Sequence, residues 1–149
     1  MTTPDWSLRD ATIVDLGFIF RVYRTTMKDY IEAVYEWNEQ TQRLHYEETF
    51  KKDDYCIIQS GGDDIGVFSV LNMDSYLFLS RIEILPAYQN QGIGTKILTS
   101  LIVRAHAQRK PVMLRVYKLN PAVRLYKRLG WQIIRQDETQ YDMLYATVD

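Results

Sequence analysis

Residues 76–95, YLFLSRIEILPAYQNQGIGT, constrain the fold more than any other stretch of the chain. Leu77, Leu79, Arg81, Glu83 and Leu85 alternate with Phe78, Ser80, Ile82 and Ile84, and both faces are largely apolar. That is the pattern of a central strand covered on both sides. Pro86 cannot donate to a ladder and ends the strand. Gly92 and Gly94 then open a helical pattern in which Ile93, Ile97, Leu98, Leu101 and Ile102 share one face. A glycine turn between strand and helix lets backbone N–H groups converge in front of the positive end of the helix dipole, which suits a phosphate. The same order also occurs as plain punctuation, so by itself it leaves an anion site and a simple turn equally open. Two phosphate motifs are excluded. A P-loop needs Gly-Lys-Ser/Thr where this chain has Gly94-Thr95-Lys96, and the dinucleotide fingerprint needs a glycine where it has Ile97.

The rest of the chain alternates helices and strands around this stretch. A short strand over residues 6–11 precedes Thr12-Ile13-Val14-Asp15, a capping box that starts a helix. Leu16, Ile19, Phe20, Tyr23, Met27, Tyr30, Ile31 and Val34 recur at spacings of three and four, with a break expected near Lys28. After the polar and aromatic connection Tyr35-Glu36-Trp37-Asn38, a second helix spans about Glu39 to Phe50. Tyr55–Gln59 and Ile65–Leu71 read as strands joined by a turn over Ser60–Asp64. A helix over 91–108 leads to a strand in which Val112, Leu114 and Val116 alternate, so strand, helix and strand form a crossover with parallel strands. Leu119–Leu129 is a helix capped by Gly130, and Trp131–Gln136 with Gln140–Thr147 forms a final hairpin.

A length of 149 residues with 25% charged residues suits one soluble domain over 1–149. No apolar run reaches membrane-spanning length and no leader pattern is present, so a cytoplasmic protein with no membrane role is expected. Cys56 is the one cysteine and reads as a buried strand residue. No His/Cys/carboxylate cluster has ligand spacing, so no metal is expected; His45 and His106 read as exposed helix residues. The net charge of −1 hides an asymmetry. Residues 81–135 carry 11 Lys/Arg and one acid, Glu83, whereas residues 1–80 carry 7 Lys/Arg and 14 Asp/Glu. The basic block answers an anionic ligand and the acidic half a cationic one, although solvated helix faces also account for many of these charges. The basic residues are not interleaved with aromatics, so nucleic acid is a poor partner.

Written out as Gln89-Asn90-Gln91-Gly92-Ile93-Gly94, the turn resembles the acetyl-CoA pyrophosphate loop of the GNAT superfamily of N-acetyltransferases, Gln/Arg-x-x-Gly-x-Gly/Ala. About thirty residues on, Asn120-Pro121-Ala122-Val123-Arg124-Leu125-Tyr126-Lys127-Arg128-Leu129-Gly130-Trp131 resembles the superfamily's Asn…Leu-Tyr-x-x-x-Gly-Phe segment. The resemblance covers nearly the whole chain. It implies an α/β fold of GNAT type: a central mixed, mostly antiparallel sheet, a parallel strand pair splayed at the cofactor site, and helices on both faces. It also implies transfer of an acetyl group from acetyl-CoA to a primary amine of a small molecule or peptide by direct attack. Dimers are common among members, which leaves a homodimer open. An acyl-CoA-binding module of the same fold without catalysis is the alternative.

The resemblance implies cofactor contacts at Gln89, Asn90, Gln91, Gly92, Ile93, Gly94 and Thr95, and a pantetheine contact at Asn120, which also fits a plain helix cap. Backbone N–H groups near Ile84 and Leu85 become candidate donors to the thioester oxygen. Tyr126 alone would read as a packing residue; in its motif it is the candidate acid for the departing thiolate. Glu83 is equally a candidate base for the acceptor ammonium and a structural ion-pair partner. Tyr30, Glu32, Glu36 and Trp37 are the candidate acceptor residues. Many relatives carry Gly at the position of Asn90 and a cation at that of Gln91, so Lys96, Arg124, Lys127 or Arg128 would have to compensate.

Overall fold

A computed structural model describes residues 2–147 of the chain, so the outermost residues of the expected 1–149 domain lie outside it. In chain order the elements are β1 (Ser7–Asp10), α1 (Leu16–Glu32), α2 (Glu39–Thr49), β2 (Cys56–Ser60), β3 (Asp63–Asn72), β4 (Leu77–Ile84), α3 (Ile93–Gln108), β5 (Val112–Tyr117), α4 (Ala122–Leu129), β6 (Gln132–Gln136) and β7 (Gln140–Tyr145). The strands make one seven-stranded sheet in the order β1-β2-β3-β4-β5-β7-β6. It is mostly antiparallel, and β4 and β5 are its parallel pair, as expected. The stretch that dominates the sequence supplies β4, the central strand. The chain divides into two compact units, Met1–Ser69 with Arg81–Ile93, and Val70–Ser80 with Gly94–Asp149.

In the first unit, the Thr12 N–H donates to Asp15 Oδ2 at 2.8 Å, and a single 3₁₀ turn over Ile13–Asp15 feeds α1. Asp15 also accepts from both terminal nitrogens of Arg9, each at 2.9 Å, and Arg9 reaches Asp64 at 3.0 Å, tying the start of α1 to β1 and β3. The Arg9 guanidinium holds the Asp15 carboxyl down at about 2. The helix does not break near Lys28. With no Gly or Pro near Lys28 it runs on to Glu32 and buries Ile31. Asn38 starts α2, its Oδ1 accepting the Thr41 N–H at 2.9 Å. Ile19, Phe20 and Val22 of α1 and Tyr46 of α2 bury against Ile57 of β2 and Val67 of β3. Gly61 and Gly62 both have positive φ, 58° and 86°, so a two-residue turn suffices where five were expected. Cys56, first residue of β2, is half-buried rather than buried.

In the second unit, β5 pairs with β4 over Leu77–Leu79 and Val112–Leu114, and with β7 along its whole length, from Val112↔Tyr145 to Tyr117↔Gln140. Ile97, Leu98, Leu101 and Ala105 form the buried face of α3. Both helices of this half start later than their periodicity indicates. Positive φ at Asn90 (61°) and Gly92 (88°) delays α3 to Ile93. A turn in which the Asn120 N–H donates to the Tyr117 carbonyl delays α4 to Ala122. Gly130, at φ 119°, ends α4 by donating to the Tyr126 and Lys127 carbonyls. Trp131 follows at 1% exposure, its Nε1 donating to the Val112 carbonyl at 3.1 Å.

Candidate functional site

The glycine turn has the local shape its sequence asks for. Pro86–Tyr88 form one 3₁₀ turn, after which Asn90 and Gly92 take left-handed conformations just before the first turn of α3. Left-handed residues beside a helix N-terminus turn successive N–H groups outward into an anion-binding concavity. Two side chains brace the turn from within, Gln89 Nε2 donating to the Ile84 carbonyl at 2.7 Å and Gln91 Nε2 to the Ala87 carbonyl at 3.2 Å. Both amides are therefore spent on loop geometry. A Cβ on Gly92 would stand 2.7 Å from Thr3 Oγ1, so the turn also needs glycine for want of space. A glycine at positive φ directly ahead of the first turn of α3 is compatible with an anion at that helix N-terminus. Lys96, Arg124, Lys127 and Arg128 are exposed and take part in no ion pair among the described residues.

The end of β4 departs from expectation at one residue. The Leu85 N–H donates to the Ile65 carbonyl at 2.8 Å, so it is committed to the sheet and is not the open donor anticipated for a thioester oxygen. Successive N–H groups of a strand face opposite edges, which turns the Ile84 N–H to the other edge of β4. Gly66 of β3 explains the close approach here: a Cβ would lie 2.3 Å from the Glu83 carbonyl oxygen and 3.2 Å from Ile84 Cα.

Glu83 is buried at 6% exposure and is held by Arg81, whose Nη1 donates to both carboxylate oxygens at 3.2 and 3.0 Å. Burial pushes the Glu83 carboxyl above its ordinary value, and Arg81 opposes that push. The guanidinium lies over two rings, with Cζ 4.3 Å from the Tyr23 centroid and 5.1 Å from that of Tyr46. The Tyr55 phenol is also raised, by burial and then by the Glu83 charge. Tyr46, at 4% exposure, has a buried hydroxyl with no hydrogen-bond partner among the described residues.

Of the anticipated acceptor residues, Trp37 joins this cluster, its ring 5.8 Å from Tyr23 and its Nε1 donating to Glu39 at 3.0 Å. Tyr30 is half-buried on α1. Glu32 is exposed and pairs with Lys28 at 3.6 Å, and Glu36 is exposed on the connection before α2. Arg81, Tyr23 and Tyr46 were not among the anticipated site residues. Arg81 stands two residues from Glu83 on one strand face, and that spacing was the signal available in the sequence.

In the second unit, Tyr126 is buried at 7% exposure on α4, its ring 5.8 Å from Trp131 in an edge contact, and Trp131 lies 5.2 Å from Tyr145. Its carbonyl accepts from Gly130 and Trp131, so the left-handed glycine fixes the turn on which the tyrosine sits. Asn120 Oδ1 accepts the Ala122 N–H at 2.9 Å, a local turn contact just ahead of α4, whose cap position is Pro121. Gly94 and Thr95 lie in the first turn of α3.

A sequence model described as "Acetyltransferase (GNAT) family" matches residues 19–131, which include the glycine turn, Glu83, Asn120 and Tyr126. The chain therefore belongs to the GNAT family of acetyltransferases. No curated protein sequence matches it. Among solved structures it resembles the PaiA N-acetyltransferase of Thermoplasma acidophilum in complex with coenzyme A, at TM-score 0.75 and 16% identity, over 95% of this chain and 99% of that one. It resembles the ribosomal-protein-S18-alanine N-acetyltransferase of Escherichia coli at TM-score 0.70 and 17% identity, over 97% of each chain. An acetyltransferase of Thermus thermophilus superposes at TM-score 0.73 and 17% identity, over 97% of this chain and 98% of that one. At these identities the structural likeness speaks for the fold.

Proposed function

We propose that the chain uses acetyl-CoA to acetylate a primary amine by direct attack, within a single catalytic domain. The family match that spans both the glycine turn and the Tyr126 segment carries this reading. Gln89–Gly92 and the first N–H groups of α3 hold the diphosphate, with the exposed cations Lys96, Arg124, Lys127 and Arg128 supplying charge. The coenzyme supplies a thioester-activated acetyl group. The Ile84 N–H stabilises negative charge on the acetyl oxygen during attack, a role worth about 3 kcal/mol of barrier where it has been removed elsewhere. A primary amine is protonated at neutral pH and cannot attack. Glu83 takes one of its protons, and Tyr23, Tyr30 and Trp37 wall the acceptor. As the C–N bond forms and the C–S bond breaks, Tyr126 delivers a proton to sulfur and is reprotonated by the one the amide nitrogen sheds.

The tight pairing of Glu83 with Arg81 favours a second reading, an acyl-CoA-binding module without turnover. Coenzyme release from acetyl-CoA in the presence of an amine panel separates the two. The transferase releases thiol with at least one amine, and Tyr126→Phe slows release on the order of 10²-fold while leaving acetyl-CoA binding nearly intact. Saturable binding with no release for any amine supports the module.

A further inference from the structure

We propose that Arg81 is a positioning residue for Glu83, keeping a buried carboxylate ionised and aimed so that it can accept the acceptor's proton at neutral pH. This rests on the reading of Glu83 as the base.

A carboxylate with a 5% exposed side chain is costly to charge unless a counter-charge stands beside it, and a protonated carboxyl cannot act as a base. Strand geometry puts residues 81 and 83 on one face of β4, and the Arg81 side chain, 17% exposed, sits at that counter-charge position. One guanidinium nitrogen serves both carboxylate oxygens, so the direction of the carboxylate depends on where the guanidinium is held. The guanidinium is flanked by the rings of Tyr23 from α1 and Tyr46 from α2. The Tyr55 phenol, in the segment before β2, also feels this carboxylate, and burial followed by the Glu83 charge disfavours its ionisation. Arg81 is the cation paired with Glu83, its Nη1 3.0 Å from Glu83 Oε2.

The role is tested by the pH dependence of kcat/KM with whichever amine supports turnover, and by ¹³C NMR titration of the Glu83 carboxyl in glutamate-labelled protein, which needs no acceptor. Arg81→Gln moves the acidic limb of the profile and the NMR midpoint upward by about 1–3 pH units. Arg81→Lys moves both by less, since it restores the charge on a group of different shape and reach. Tyr46→Phe, which keeps the ring over the guanidinium, leaves both in place. Glu83→Gln separates this role from the reading beneath it. If Glu83→Gln keeps the wild-type profile, Glu83 is not the base and both ideas fall. If Glu83→Gln removes the limb but neither Arg81 variant shifts it or the NMR midpoint, the positioning role alone is overturned. Should Arg81→Gln not fold, an unmoved midpoint in Arg81→Lys gives the same negative result.

Discussion

The two units hold their candidate proton-transfer groups by opposite means. In the first, Glu83 is fixed by charge: a single guanidinium binds it, and two tyrosine rings hold that guanidinium. In the second, Tyr126 lies edge-on to Trp131 on a helix ended by a left-handed glycine, and Trp131 in turn meets Tyr145. A charge-held group responds to pH because its partner's influence depends on ionisation. A group held by packing responds to volume. The contrast to test is between the Arg81–Glu83 ion pair of the first unit and the Trp131 packing of the second.

The largest expected effect breaks the packing side. Trp131→Ala deletes a 1%-exposed ring from between Tyr126 and Tyr145 and removes the donor to the Val112 carbonyl. It should cost about 3–5 kcal/mol in denaturant unfolding, with a loss that is nearly the same at pH 5 and pH 8.

Arg81→Gln tests the charge side. It leaves a buried carboxylate without its partner and should cost about 3 kcal/mol at pH 8. This loss shrinks as pH falls, because Glu83 already titrates above its ordinary value and rises further without Arg81. A raised carboxyl adds stability below its unfolded value and loses it as pH climbs through the folded one. A pH-independent penalty would erase the contrast with Trp131.

The smallest effect has the opposite sign. Asp15, held down at about 2 by Arg9, stabilises the fold above its ordinary value and ceases to do so as pH falls from about 4 to about 2. Asp15→Asn should cost about 1–2 kcal/mol at neutral pH and flatten that acid limb in thermal melts.

What the sequence made legible is what depends on neighbours along the chain. Period two named β4 as the central strand, glycine spacing named the turn before α3, and Thr12 with Asp15 named the start of α1. Helix starts slipped by two or three residues at Ile93 and Ala122, where left-handed residues and a turn at Asn120 intervene after the apolar pattern has begun. The break expected near Lys28 had no Gly or Pro behind it and did not occur. What stayed hidden depends on distant partners. Tyr23 and Tyr46 meet Arg81 from different helices, and nothing local to either tyrosine announces it. Gly66 is required by the backbone of β4, not by its own strand, and the Leu85 amide is claimed by Ile65 across the sheet.

The central claim is that the turn over Gln89–Gly94 grips the diphosphate of acetyl-CoA. Titration calorimetry of acetyl-CoA into the wild-type protein and into Gly92→Val addresses it directly. Valine at a φ of 88°, with its Cβ against Thr3, should distort the turn without touching the rest of the fold. Saturable heat in the wild type, with affinity at least about tenfold weaker in Gly92→Val, is the predicted result. No heat at millimolar acetyl-CoA, or equal affinity in the two proteins, would contradict it.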